Sequence, residues 1–203
     1  MKTLYLLRHT LNLGGLVTHE GFALAEAQGQ SLDLRVPPTD VGPDVTWINP
    51  RIARLFHGLL LRTAQPALAF CKGLGYVPTF MPAVSGLGDD AMFKEMANEA
   101  FRAAQKTMSN LQALQASHPA ERYVEWAKGS RAAVDSMFEQ MGDDEIAVGF
   151  FHSPTIELAA STLQNDLVPL PDGWNNLKEL DGLVFVQSTG GLLGVTKIIR
   201  AKR

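Results

Sequence analysis

The chain contains a single cysteine, Cys71, among 203 residues. An intrachain disulfide is therefore excluded, the fold must rest on a buried core, and a cytoplasmic setting is expected. No stretch approaches the ~20 consecutive apolar residues that a membrane span needs, and the apolar run at the N-terminus is shorter than the hydrophobic region of a signal peptide. Charge of either sign is also scarce: 18 Lys and Arg stand against 21 Asp and Glu, a net charge of -3. With no basic stripe, nucleic acid and anionic membrane are unexpected partners, and any anion must be bound by local charges. Neither a Gly-x-Gly-x-x-Gly nor a Walker pattern occurs, and no His/Cys/Asp spacing reads as a metal site, so no cofactor is expected. Without a linker, repeat or shift in composition, residues 1–203 read as one domain.

What is present is an alternation of strand and helix signals. Strand signals fall at Thr3 to Leu7, Val45 to Ile48, Ala53 to Phe56, Tyr76 to Met81, Ile146 to Phe151 and Gly182 to Gln187. Several are unbroken apolar runs, the mark of strands covered on both faces. Helical spacing occupies Glu20 to Leu32, Leu61 to Leu74, Asp90 to Ser117, Glu121 to Met141 and Thr155 to Leu163. In the longest of these, Phe93, Ala97, Phe101, Ala104, Met108, Leu111 and Leu114 form a packing stripe that ends at Ser117-His118-Pro119. The C-terminal stretch reads as a hairpin with Gly190-Gly191 in its turn. Together these predict a three-layer α/β/α fold with a mostly parallel central sheet and an antiparallel edge.

Polar residues of catalytic type stand where apolar strands end. Leu4 to Leu7 runs into Arg8-His9-Thr10, and Ile146 to Phe151 runs into His152-Ser153. The carboxyl ends of strands are where α/β enzymes place their chemistry. Between the two segments, Arg62 opens a predicted helix, whose N-terminal dipole adds to the positive charge there.

These segments resemble the histidine phosphatase superfamily, the phosphoglycerate mutase-like proteins, in which an Arg-His pair closes the first strand. Val17-Thr18-His19-Glu20-Gly21 with Gln28-Gly29 is similar to the helix start of that family. Leu60-x-Arg62-Thr63-x-Gln65 is similar to its second arginine motif, and His152 completes the set in order. The resemblance spans the chain and implies a phosphomonoesterase without a metal, working through a phosphohistidine on His9. Arg8, Arg62 and His152 would hold the phosphoryl oxygens. An imidazole ordinarily titrates near 6.5, so a neutral His9 could attack phosphorus, and water would release the phosphate.

The resemblance also exposes departures. The family's acid is a glutamate two residues after a leucine; here Leu87-Gly88-Asp89 offers aspartate. Asp89 is the first choice of proton donor, Asp90 the second and Glu95 the third, while helix capping by Asp89-Asp90 is the competing reading. Thr10 replaces a usual glycine and, with Asn12, His57 and Ser153, is a candidate substrate contact. His118 reads as solvated, Cys71 as packing, and Trp47, Trp126 and Trp174 as core or rim. A phosphorylated small molecule or a phosphoprotein would be the partner, and a homodimer is possible. A mutase and a non-catalytic phosphate-binding or regulatory domain are the alternative functions.

Overall fold

A computed structural model describes residues 1–32, 51–163, 166–167, 170, 174, 176–188, 190–191 and 193–199. The expected strand at Val45 to Ile48, with Trp47, lies outside them. The chain opens with β1 (Lys2–Arg8), a short hairpin of β2 (Asn12–Leu13) and β3 (Leu16–Val17), and α1 (His19–Ser31). Next come β4 (Ile52–His57), α2 (Leu61–Leu74) and β5 (Thr79–Phe80). Helices α3 (Asp90–Met96), α4 (Glu99–Ala104), α5 (Asn110–Ser117) and α6 (Ala120–Glu139) follow. The chain then forms β6 (Ile146–Phe151), α7 (Thr155–Ala160), a small ladder of β7 (Thr162–Leu163) and β8 (Asp166–Leu167), and the edge strands β9 (Gly182–Gln187) and β10 (Leu193–Ile199).

The central sheet has the order β10-β9-β1-β6-β4-β5. Strands β1, β6, β4 and β5 are parallel, while β9 and β10 run antiparallel along one side. Because side chains alternate across a strand, β1 feeds two cores. Leu4 and Leu6 pack with Phe151, Met137, Phe138 and Ile156 on one face. Tyr5 and Leu7 pack with Phe150, Ala25, Ala67 and Phe70 on the other. Helices therefore cover both faces of the sheet, as the unbroken apolar runs predicted.

Helices α1 and α2 meet so closely that a side chain would not fit between them. A Cβ on Gly73 would stand 1.9 Å from the Glu26 carbonyl oxygen, and one on Gly29 would stand 2.2 Å from that of Phe70. The two glycines permit backbone-to-backbone contact.

Three expectations about elements are corrected. The single helix over Asp90 to Ser117 is three helices, because local caps outcompete the apolar periodicity. Asn98 Oδ1 accepts from the Phe101 amide at 2.8 Å, and Ser109 with Gln112 forms a capping box. His118, expected to be solvated, is half-buried: its ring lies 4.8 Å from that of Trp126, and its Nε2 is 3.0 Å from Asn98 Nδ2. The strand at Tyr76 to Met81 shrinks to two residues, and the helix from Thr155 stops at Ala160 before the β7–β8 ladder. Cys71 and Trp126 are buried in the packing roles expected of them.

Replacing Gly73 with alanine is expected to destabilise the fold by about 1–3 kcal/mol through overpacking against α1. Urea unfolding should show a lower midpoint at an unchanged slope, and an unaltered midpoint would refute the close contact.

Candidate active site

The parallel register of β1 and β6 sets Arg8 opposite Phe151. The next amide, His9 N–H, donates to the Phe151 carbonyl at 2.8 Å. His9 and His152 are consequently neighbours at the carboxyl edge of the sheet, with ring centroids 4.8 Å apart and an angle of 63° between planes. His9 Nδ1 lies 2.8 Å from the Thr10 carbonyl oxygen. A carbonyl can only accept, so Nδ1 carries the proton and Nε2 keeps its lone pair for attack. The Asn12 carboxamide is 3.4 Å from the same Nδ1, placing Asn12 beside the nucleophile.

Two arginines surround the pair. Arg8 ends β1, donates from Nη1 to the Leu177 carbonyl at 2.6 Å, and faces Glu179 across 3.4 Å. Arg62 sits in the first turn of α2, with its guanidinium carbon 5.3 Å from the centre of the Phe93 ring. Phe93, delivered by α3, also meets the His152 ring edge-on at 4.5 Å. An aromatic ring thus contacts both a cation and an imidazole, a desolvated arrangement favourable to the cation.

Burial and these cations determine the protonation of the imidazoles. Desolvation, with the charges of Arg8 and Arg62, pushes His9 down to about 4 against the opposing Thr10 hydrogen bond and Glu179. Desolvation, then His9, Arg62 and Arg8, pushes His152 down to about 2. Both are neutral at pH 7. The His152 Nε2 is buried without a hydrogen-bond partner among the described residues. Such a group is costly unless a ligand satisfies it.

The acid candidates separate. Asp89 Oδ1 caps α3 by accepting from the Met92 amide at 2.8 Å, so the capping role is real. Its neighbour Gly88 holds φ at +103°, and a Cβ there would fall 2.7 Å from the His152 ring, so this turn passes directly over the site. The Asp90 side chain lies outside the described residues. Glu95 points into an ion pair with Arg122, away from the histidines.

Of the proposed substrate contacts, Thr10 is wholly buried, and its hydroxyl has no partner among the described residues. His57 closes β4 as His9 closes β1, with Nδ1–H donated to the Gly58 carbonyl at 2.8 Å. Ser153 is turned inward: its hydroxyl donates to Glu157 and accepts from Asn110 Nδ2 at 2.7 Å. The motif around Gln65 proves structural, since its Oε1 accepts from the Val17 amide at 2.9 Å and joins the β2–β3 hairpin to α2.

Phe93, Leu177, Glu179 and Glu157 were not singled out from sequence. In the sequence Phe93 reads as part of a packing stripe, Leu177 and Glu179 stand near no motif, and Glu157, soon after His152, falls within a helical stretch. Burial raises Glu157 to about 7, although Ser153 and the Leu177 amide favour its ionised form. Among the described residues no cluster of three or more His, Cys, Asp or Glu could hold a metal ion, and no helix is long and apolar enough to cross a membrane.

The α/β sheet thus gathers paired imidazoles and two arginines, a positively charged set suited to an anion, at one edge. The sequence matches no protein-family model and none of the curated proteins. The structure is similar to phosphoglycerate mutase from Bacillus anthracis str. Sterne, with a TM-score of 0.60 at 14% identity, covering 96% of this chain and 91% of that one. It is similar to Bacillus stearothermophilus YhfR, with a TM-score of 0.60 at 16% identity over 96% and 95% of the two chains. Phosphoserine phosphatase from Entamoeba histolytica, solved with 3-phosphoglyceric acid, gives a TM-score of 0.59 at 16% identity over 98% and 96%. The chain therefore has the phosphoglycerate mutase-like fold.

The lowered imidazoles make stability depend on pH. Between about pH 6.5 and 4 the unfolded chain protonates His9 and His152 while the folded chain keeps them neutral, so acid favours unfolding. Glu157 works in the opposite sense, because its raised value lets the folded chain hold a proton up to about pH 7. A His152→Gln variant isolates one histidine. From pH 6.5 to 4.5 the unaltered chain should lose more stability than the variant by up to about 1.4 kcal/mol per pH unit. Parallel stability curves from urea titrations would show that His152 is protonated in the fold.

Proposed function

We propose that this chain is a histidine phosphatase, hydrolysing phosphomonoesters through a phosphohistidine on His9. The observation that carries this reading is the His9 ring itself, held by Nδ1 beside His152 within the field of Arg8 and Arg62, with Nε2 left unprotonated. In the first step Nε2 forms a bond to phosphorus while the ester oxygen departs. Arg8 and Arg62 compensate the charge of the equatorial oxygens. His152 supplies a hydrogen bond from the ring nitrogen that has no partner among the described residues, for which the neutral imidazole must carry its proton on Nε2. Asp89 gives its proton to the departing oxygen; the cap occupies Oδ1, which leaves Oδ2 to carry that proton. Water then attacks the phosphohistidine and passes a proton back to Asp89 as the P–N bond breaks, phosphate leaves, and His9 returns to its neutral form.

The similar Entamoeba histolytica protein is a phosphoserine phosphatase and the similar Bacillus anthracis protein a phosphoglycerate mutase, so the fold is compatible with both outcomes, of which hydrolysis is the one proposed. The substrate is a phosphorylated small molecule or a phosphoprotein, and the single buried thiol of Cys71 suits action in the cytoplasm.

Incubation with an aryl phosphate in the presence of a chelator should give turnover and an acid-labile phosphoenzyme. Absence of both defeats the proposal. His9→Ala should abolish both signals. Asp89→Asn retains a good helix cap and so isolates the acid role. It should slow alkyl phosphates at least tenfold more than aryl phosphates, whose leaving groups need no proton. Equal slowing of both classes would remove Asp89 as the acid.

A further inference from the structure

Helix α7 is buried along its whole length, and Glu157 is its single ionisable residue, 0% exposed. A leucine would fill the same volume without the desolvation cost of a carboxyl group, so packing alone does not account for it. Its contacts give the account. Glu157 Oε1 accepts from the Ser153 hydroxyl, next to His152, and from the Leu177 amide at 3.1 Å. The Leu177 carbonyl in turn accepts from Arg8 Nη1 at 2.6 Å.

Leu177 begins a turn that grips Arg8 by its main chain as well. The Arg8 amide donates to the Asp181 carbonyl at 2.8 Å, and the Leu180 amide donates to the Arg8 carbonyl at 3.1 Å. Leu180 is held at φ +61°, a conformation costly for a branched side chain and retained only where surrounding contacts impose it. The carboxyl of Glu157 bonds this turn to α7, where the Leu177 side chain also packs with Ile156 and Ala159.

We propose that Glu157 is a positioning residue for Arg8, acting through Leu177 to aim the guanidinium at bound phosphate. This rests on Arg8 serving as a phosphate ligand. What the device requires is an acceptor oxygen at the right reach rather than a charge. Glu157→Gln keeps that oxygen and loses the charge, whereas Glu157→Asp keeps the charge and withdraws the oxygen by one methylene.

Calorimetric titration with inorganic phosphate reads the device without turnover, and so stays informative if the chain proves not to hydrolyse esters. The dissociation constant should rise at least tenfold in Glu157→Asp and stay within threefold of the unaltered chain in Glu157→Gln. If aryl phosphates are hydrolysed, the Asp variant should raise KM more than it lowers kcat. Phosphate binding by a folded Asp variant within threefold of the unaltered chain would overturn the proposal, as would a loss of more than threefold in the Gln variant. Should the Asp variant fail to fold by circular dichroism, the Gln variant alone decides by the same threefold limit. An unaltered chain that binds no phosphate removes Arg8 from that role and the proposal with it.

Discussion

The parallel pairing of β1 with β6 is the constraint on which the site depends. With Arg8 opposite Phe151 and the His9 amide bonded to the Phe151 carbonyl, residues far apart in the chain emerge side by side at the sheet edge. A slip of one residue would turn every side chain of β1 to the other face. It would bury Tyr5 and Leu7 in the wrong core and carry His9 away from His152. The two apolar cores therefore hold the pairing of His9 with His152 as well as the fold, because each strand is locked by packing on both faces.

Around that edge the site is built from groups that are costly alone and compatible together. Two cations lie near two imidazoles, and desolvation with that positive charge keeps both rings neutral. A neutral ring is what a nucleophile needs, so in the proposed reaction the positive charge that would attract phosphate also prepares His9 to attack it. Phe93 contacts both Arg62 and His152, and the turn from Leu177 to Asp181 grips Arg8. Each of these supports comes from a different part of the chain than the side chains it contacts.

The covering helices show where periodicity misleads. A stripe from Phe93 to Leu114 reads as one helix, yet Asn98 and Ser109 each cap a new one. The breaks aim the pieces separately, so Phe93 reaches His152 while Phe101, Leu111 and Leu114 pack on Tyr123 and Trp126. Asp89 illustrates the same competition at one residue, since the carboxyl that caps α3 also sits beside Gly88, which touches His152. Capping and acid catalysis cannot be separated from sequence because both call for a short carboxylate before a helix. Ser153 was misleading for another reason: a hydroxyl beside His152 suggests a ligand contact, but the fold turns it to Glu157 and Asn110.

The sequence by itself determined the layered α/β architecture and the identity of Arg8, His9, Arg62 and His152 as one set. Apolar runs that end in polar residues are local signals, and they survive folding unchanged. Only the tertiary structure decided the tautomer of His9, the neutrality of both imidazoles, the placement of Phe93 and the burial of Glu157 against the Leu177 amide. These follow from desolvation and from hydrogen bonds between segments as distant as Arg8 and Leu177, and such contacts exist only once the sheet has brought the segments together.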